Sequence, residues 1–197
     1  MAPMGNREKL LAGAVRCLRE KGYARTTARD IASAAGTSLA AIGYHFGSTE
    51  NLLNTALFQA IQQVTDETDR VLAASETRPG DGPADRVERR WGAMLESFDA
   101  DRPLWAATFE IYPQIERVPE LRQAIAGAYQ RMRAELAAEF HHIDAAADEK
   151  KANVVGSFYQ ALLIGVLAML LVDPEHGPSA GDLAEALRLI SSDIQGS

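Results

Sequence analysis

Thr27-Ala-Arg-Asp-Ile-Ala-Ser-Ala-Ala-Gly-Thr-Ser-Leu-Ala-Ala-Ile-Gly-Tyr-His45 reads as a helix, a tight turn and a second helix. Thr27 is placed to cap the first helix, with Asp30 three residues on. Ile31 points inward, and Ala32 is small enough for the second helix to cross close by. Gly36 supplies the positive φ that the turn requires. Ser38 opens the second helix and Ile42 anchors its inner face. Ala32, Gly36 and Ile42 stand in the spacing A-x3-G-x5-I, the steric requirement of a helix-turn-helix whose second helix enters a DNA major groove. The same spacing also fits an ordinary pair of short helices, so the flanks have to decide.

Upstream, Leu10, Leu11, Ala14, Val15 and Leu18 stripe one face of a helix from about Arg7 to Lys21, with Gly22 as a left-handed cap. Downstream comes Gly43-Tyr-His-Phe-Gly-Ser-Thr-Glu-Asn-Leu-Leu53, where Ser48 caps a long helix running towards Leu72. From about Leu10 to Leu57 the chain resembles the DNA-binding domain of the tetracycline-repressor-type (TetR) family. The resemblance lies in T-x-x-x-I-A-x-x-A-G-x-S at Thr27–Ser38, in Y-H-F at Tyr44–Phe46, and in a variant of S-K-E-x-L-L at Ser48–Leu53. It implies an all-α homodimer, two recognition helices on a palindromic operator, and a C-terminal helix pair forming a four-helix interface. One position departs: Thr49 stands where the family usually has a phosphate-contacting lysine.

The resemblance gives Tyr44 and His45 phosphate-contacting roles, and both side chains can donate to phosphate oxygens. Thr27 and Thr49, each at a helix N-terminus, offer an amide and a hydroxyl to phosphate. Base reading falls to Thr37, Ser38, Ala40, Ala41 and Gly43, a set without the Arg, Asn or Gln of bidentate base contacts. Thymine-methyl contacts from the alanines, Ser/Thr hydrogen bonds and DNA shape then carry specificity. Arg25 and Arg29 fit either DNA contacts or solvated charge. Phe46 and Cys17 read as packing.

No stretch shows convincing β alternation, and the remainder keeps helical spacing. Residues 75–83 are turn chemistry. Val87, Trp91, Met94, Leu95 and Phe98 share a helical face. Pro103 and Pro113 bracket a short helix with Trp105 and Phe109. Leu121, Ile125, Tyr129, Met132, Leu136 and Phe140 form a single stripe. Trp91, Met94, Phe98, Trp105, Phe109, Tyr112, Tyr129, Met132 and Phe158 are the candidates for lining an effector cavity, and each is also a candidate for plain core. Val154–Val172 carries no charged residue and nearly matches a bilayer span. The soluble amphipathic pattern elsewhere favours burial in protein. One subunit of this size covers only part of such a helix, so it and the amphipathic helix bearing Leu183, Leu187, Ile190 and Ile194 predict a subunit interface.

Net charge is −7, yet residues 1–58 carry seven Lys/Arg and four Asp/Glu, a net +3 on an otherwise acidic body. The expected organisation is a three-helix helix-turn-helix domain over residues 1–50 and a larger helical ligand-binding and dimerisation domain over 51–197. Cys17 is the only cysteine, and no secretory signal pattern opens the chain, which fits the cytoplasm. No metal-ligand cluster, phosphate-binding loop or nucleophile–base arrangement suggests an enzyme, a metal or a cofactor; His141 and His142 diverge by about 100° on a helix. The expected function is a DNA-binding transcriptional regulator, a repressor that acts as a homodimer through helices 152–172 and 182–194. A small apolar or aromatic ligand releases it, without membrane involvement. The alternative is a regulator with no small-molecule effector, controlled by a protein partner.

Overall fold

The computed structural model describes residues 5–75, 82–116 and 118–195. Among them are nine α-helices and no strand: α1 (Asn6–Lys21), α2 (Ala28–Ala35), α3 (Leu39–Phe46), α4 (Thr49–Ser75), α5 (Pro83–Ala100), α6 (Arg102–Glu110), α7 (Pro119–His141), α8 (Glu149–Val172) and α9 (Ala180–Gln195). The expected all-α class holds. Residues 76–81 of the expected loop lie outside the described residues. A 3₁₀ turn at Tyr112–Gln114, with Pro113 inside it, ends the α6 region where proline was expected to act.

The chain divides into two compact units. One comprises Met1–Glu67 with Ala100–Leu121, the other Thr68–Asp99 with Arg122–Ser197. The first unit therefore takes in α6 and the turn after it, as well as the three N-terminal helices.

In the first unit, Leu10, Leu11, Ala14, Cys17 and Leu18 of α1 are buried together with Ile31, Ile42, Leu52, Leu53 and Leu57. Each of the buried leucine and isoleucine side chains contributes about 1.5–3 kcal/mol by leaving water. Burial also pushes the Cys17 thiol pKa up, which suits packing better than redox chemistry. α1 crosses α2 closely at Gly13, where an added Cβ would lie 3.0 Å from the Ala35 nitrogen and 3.1 Å from the Ile31 oxygen. Gly22, read from sequence as a left-handed cap, has positive φ but extended ψ (79°, 171°), so α1 stops without the αL geometry.

In the second unit, Trp91, Leu136, Phe140 and Tyr159 form a core, with Met94, Met132, Leu162, Leu163, Leu183 and Leu187 packed against it. Phe140 and Tyr159 stack with ring centroids 4.0 Å apart, and Trp91 lies 5.6 Å from Phe140. Arg90, buried beside this core, pairs with Glu139.

By length and composition α8 could cross a bilayer, and only 28% of its most apolar window is buried. Tyr159, Val166 and Leu167 face inward, whereas Val154, Phe158, Met169 and Val172 are exposed. The α9 stripe divides along its length. Leu183 and Leu187 pack on the core, while Ile190 and Ile194 stand in solvent.

Candidate DNA-binding surface

The α2–α3 pair is built from local hydrogen bonds. The Thr27 hydroxyl accepts from the Asp30 amide at 3.3 Å. The Thr27 amide and hydroxyl donate in turn to the Asp30 carboxylate at 2.9 and 2.7 Å. This is a reciprocal capping box, with Asp30 in the acidic position. Lys21 Nζ reaches the same carboxylate at 2.5 Å. The Lys21 ammonium first, then the two Thr27 donors, hold the Asp30 carboxyl far below its usual range. Both Thr27 groups expected to bind phosphate are thus engaged by Asp30, and phosphate would have to compete for them.

Gly36 takes φ 61°, ψ 37°, the left-handed geometry expected of the turn. The Thr37 amide donates to the Ala32 oxygen at 3.0 Å, which closes α2. The Thr37 hydroxyl is buried without a partner among the described residues, so its oxygen is not offered to solvent. Ser38 occupies the N-cap backbone position of α3, but its hydroxyl makes no capping bond. The cap expected there is one of backbone geometry, and the exposed hydroxyl is left for another partner.

On α3, Ile42 is buried. Ala40, Gly43 and Tyr44 are exposed, while Ala41 and His45 are half-buried. The Tyr44 side chain is 86% exposed, and its ring meets that of His45 edge-on with centroids 4.9 Å apart. Tyr44 therefore does not pack on α1. Phe46 lies beneath the Arg7 guanidinium, 5.2 Å from the ring centroid, a cation–π contact that fixes the end of α3 to the start of α1. The Ser48 hydroxyl accepts from the Asn51 amide at 3.0 Å and caps α4 as expected, leaving Thr49 half-buried at the first helical position.

Two features escaped the sequence reading. Leu39, the first residue of α3, is 49% exposed on the recognition helix. α6 also grips the reading head within the first unit: Asp101 pairs with Arg19 at 2.6 Å, and Glu110 accepts from the Ala24 amide at 2.7 Å. The sequence signal for the grip was weak, since these carboxylates lie some 80 residues from their partners.

The cavity candidates separate. Trp91 and Phe98 are fully buried in the second unit, where Met94 and Met132 pack around the Trp91 core and Tyr129 is half-buried. Phe158 is 48% exposed in the outer stripe of α8. Trp105, Phe109 and Tyr112 belong to the first unit and are half-buried, with the Phe109 and Tyr112 rings 6.0 Å apart.

The family profile described as bacterial regulatory proteins, tetR family, matches residues 10–56. The profile of the tetracyclin repressor-like C-terminal domain matches residues 82–192. The chain belongs to the TetR family. It is accordingly a helix-turn-helix transcriptional regulator and not an enzyme. The HTH-type transcriptional repressor AcnR of Corynebacterium glutamicum is 46% identical over 50 residues, which are 25% of this chain and 27% of that protein. The HTH-type transcriptional regulator CymR of Pseudomonas putida is 30% identical over 130 residues, 66% of this chain and 61% of that one. The match thus spans about a quarter of the first relative's length and under two thirds of the second's. The multidrug binding protein EbrR, solved in complex with imidazole, superposes with a TM-score of 0.66 at 23% identity, over 94% of this chain and 96% of that one. That likeness is one of fold.

Proposed function

We propose that this TetR-family chain is a cytoplasmic repressor. It binds a palindromic operator as a homodimer and is released by a small apolar or aromatic ligand. The observation that carries the DNA half is the solvent-facing surface of α3, where Tyr44 projects into solvent and the Ser38 hydroxyl makes no capping bond. Ser38, Ala40, Ala41 and Gly43 meet base edges, with Thr37 lying at the turn that leads into them. Tyr44, His45, Thr27 and Thr49 position the head on phosphates.

Dimerisation is supported by the exposed apolar residues of α8 and α9: Val154, Phe158, Met169, Val172, Ile190 and Ile194. A second copy of the same two helices would cover them as an isologous, apolar interface. Two reading heads about 34–36 Å apart then meet successive major grooves.

An effector is supported by two buried donors, Trp91 Nε1 and Gln160 Nε2, that have no acceptor among the described residues. An unmet buried donor costs about 1–3 kcal/mol, which an acceptor on a bound molecule would recover. The relative EbrR is named for multidrug binding. The dense packing around Trp91 favours the second reading, a regulator governed by a protein partner without a small ligand.

Selection of bound sequences from random duplexes with the full-length protein tests the DNA half and yields the operator. Candidate aromatic ligands are then titrated with and without saturating operator. Coupling requires operator to weaken ligand binding by the factor by which ligand weakens operator binding. Equal ligand affinity in both arms for every ligand that binds would leave the partner-controlled reading.

A further inference from the structure

We infer that α3 reads its operator through the C5-methyl groups of thymines, with Leu39 as a specificity-determining residue beside Ala40. The inference rests on α3 entering the major groove, as proposed above. At about 100° per residue, Leu39, Gly43, Ala40 and Tyr44 fall within one arc of about 140° on the helix. All four are exposed, and the arc runs from Leu39, about 60° from buried Ile42, round to Tyr44, about 160° from it. Of the four, only Tyr44 can hydrogen-bond. The whole of α3, Leu-Ala-Ala-Ile-Gly-Tyr-His-Phe, contains no Arg, Lys, Asn or Gln. Hydrogen-bonded discrimination of bases from this helix is therefore left to the Ser38 hydroxyl and the two rings at its far end.

Leu39 puts a branched apolar side chain, 49% exposed, at the N-terminal end of the helix, where recognition helices touch base edges. Within a major groove the apolar feature that marks one base from the others is the thymine methyl. The basic side chains of residues 1–58 select a polyanion over an apolar protein surface as the occupant of this face. Gly43 contributes by what it lacks. A Cβ there would meet nothing within 4 Å, so the packing of the described residues does not call for glycine. Its bare backbone leaves the centre of the arc open for base edges to approach closely. The consequence is a half-site with thymine where Leu39 and Ala40 land, recognised by apolar contact.

The test uses the full-length protein and the operator it selects from random duplexes. Each thymine in one half-site is replaced in turn by deoxyuridine, which keeps the base pairing and removes only the methyl. Wild type is expected to lose about fourfold in affinity at the position facing Leu39, the loss that goes with one methyl-sized apolar group. Leu39→Ala is expected to weaken binding to the thymine operator and to be indifferent to uracil at that position. Such non-additivity marks a direct contact. Leu39 is half exposed, so the variant keeps its fold, which circular dichroism checks. Deoxyuridine tolerated at every position by wild type, or additive losses from variant and base, overturns the inference while leaving DNA binding intact. Failure to select any sequence overturns the DNA reading beneath it and this inference with it.

Discussion

The Glu110 carboxylate accepts a hydrogen bond from the Ala24 amide at 2.7 Å. The donor lies just past the end of α1 and the acceptor is the last residue of α6. Together with Arg19–Asp101, the contact anchors the end of α1 to both ends of α6. Glu110→Ala removes a charge-assisted bond at an exposed site, worth about 0.5–1.5 kcal/mol. The expected outcome is faster hydrogen exchange at the Ala24 amide and a lower melting temperature, both largely restored by Glu110→Gln. Unchanged exchange would mean that the turn holds itself.

Tyr44→Phe is expected to weaken binding by a similar factor on every operator variant, because a phosphate contact carries no sequence information. Competition between wild type and variant on a panel of single-base operator changes measures this. A loss confined to one base position would assign Tyr44 to base reading.

Thr49 sits half-buried at the first position of α4. Thr49→Lys restores a cation close to where phosphate is expected. Affinity should rise at low salt, and the slope of log K against log salt should steepen by about 0.9 for each added phosphate contact. An unchanged slope would show that the lysine does not reach the backbone.

Ala161 is exposed on the outward side of α8 with Gly165. Ala161→Glu places a carboxylate in the proposed interface twice per symmetric dimer. The variant is expected to keep its helix content, sediment as a monomer at micromolar concentration, and lose most operator affinity. Wild type sedimenting as a clean monomer would remove the interface altogether.

Asp30 titrates far below the ordinary carboxyl because of Lys21 and Thr27. Its folded pKa is depressed, so between the folded value and the unfolded one of about 3.9 the unfolded chain binds the extra proton. The stability it contributes is present above about pH 3.9 and lost as pH falls towards the folded value. Asp30→Asn should therefore be less stable than wild type at neutral pH, with the difference shrinking below about pH 4. Denaturant midpoints measured from pH 7 down to pH 2 would show it. A difference that stays constant with pH would assign the loss to capping alone.

The helix-turn-helix was legible because its constraints are local. Thr27, Asp30, Gly36 and Ile42 act within a few residues of one another, and each has one conformational task. The ends of α2 and the proline-bounded α6 followed for the same reason. What the sequence hid depends on partners far along the chain. Nothing near Gly13 shows that its missing Cβ admits Ala35. Nothing near Glu110 points to Ala24. Hydrophobic periodicity also left two questions open. It could not tell a side chain that is packed, as Trp91 is, from one that stands exposed, as Phe158 does. Nor could it show that the single α9 stripe turns from core to solvent partway along.

That division of α9 has a consequence for the life of the chain. Leu183 and Leu187 pack against the subunit's own core, whereas Ile190 and Ile194 stay exposed in the single subunit. A newly made subunit with no mate carries a sticky, half-supported terminal helix. On the proposed dimer, its resistance to heat rises with protein concentration by mass action. Changes at the first pair of residues then damage every molecule, while changes at the second pair matter most when copies are scarce. If the proposed dimer forms, dilution would be felt first in the last two turns of this helix.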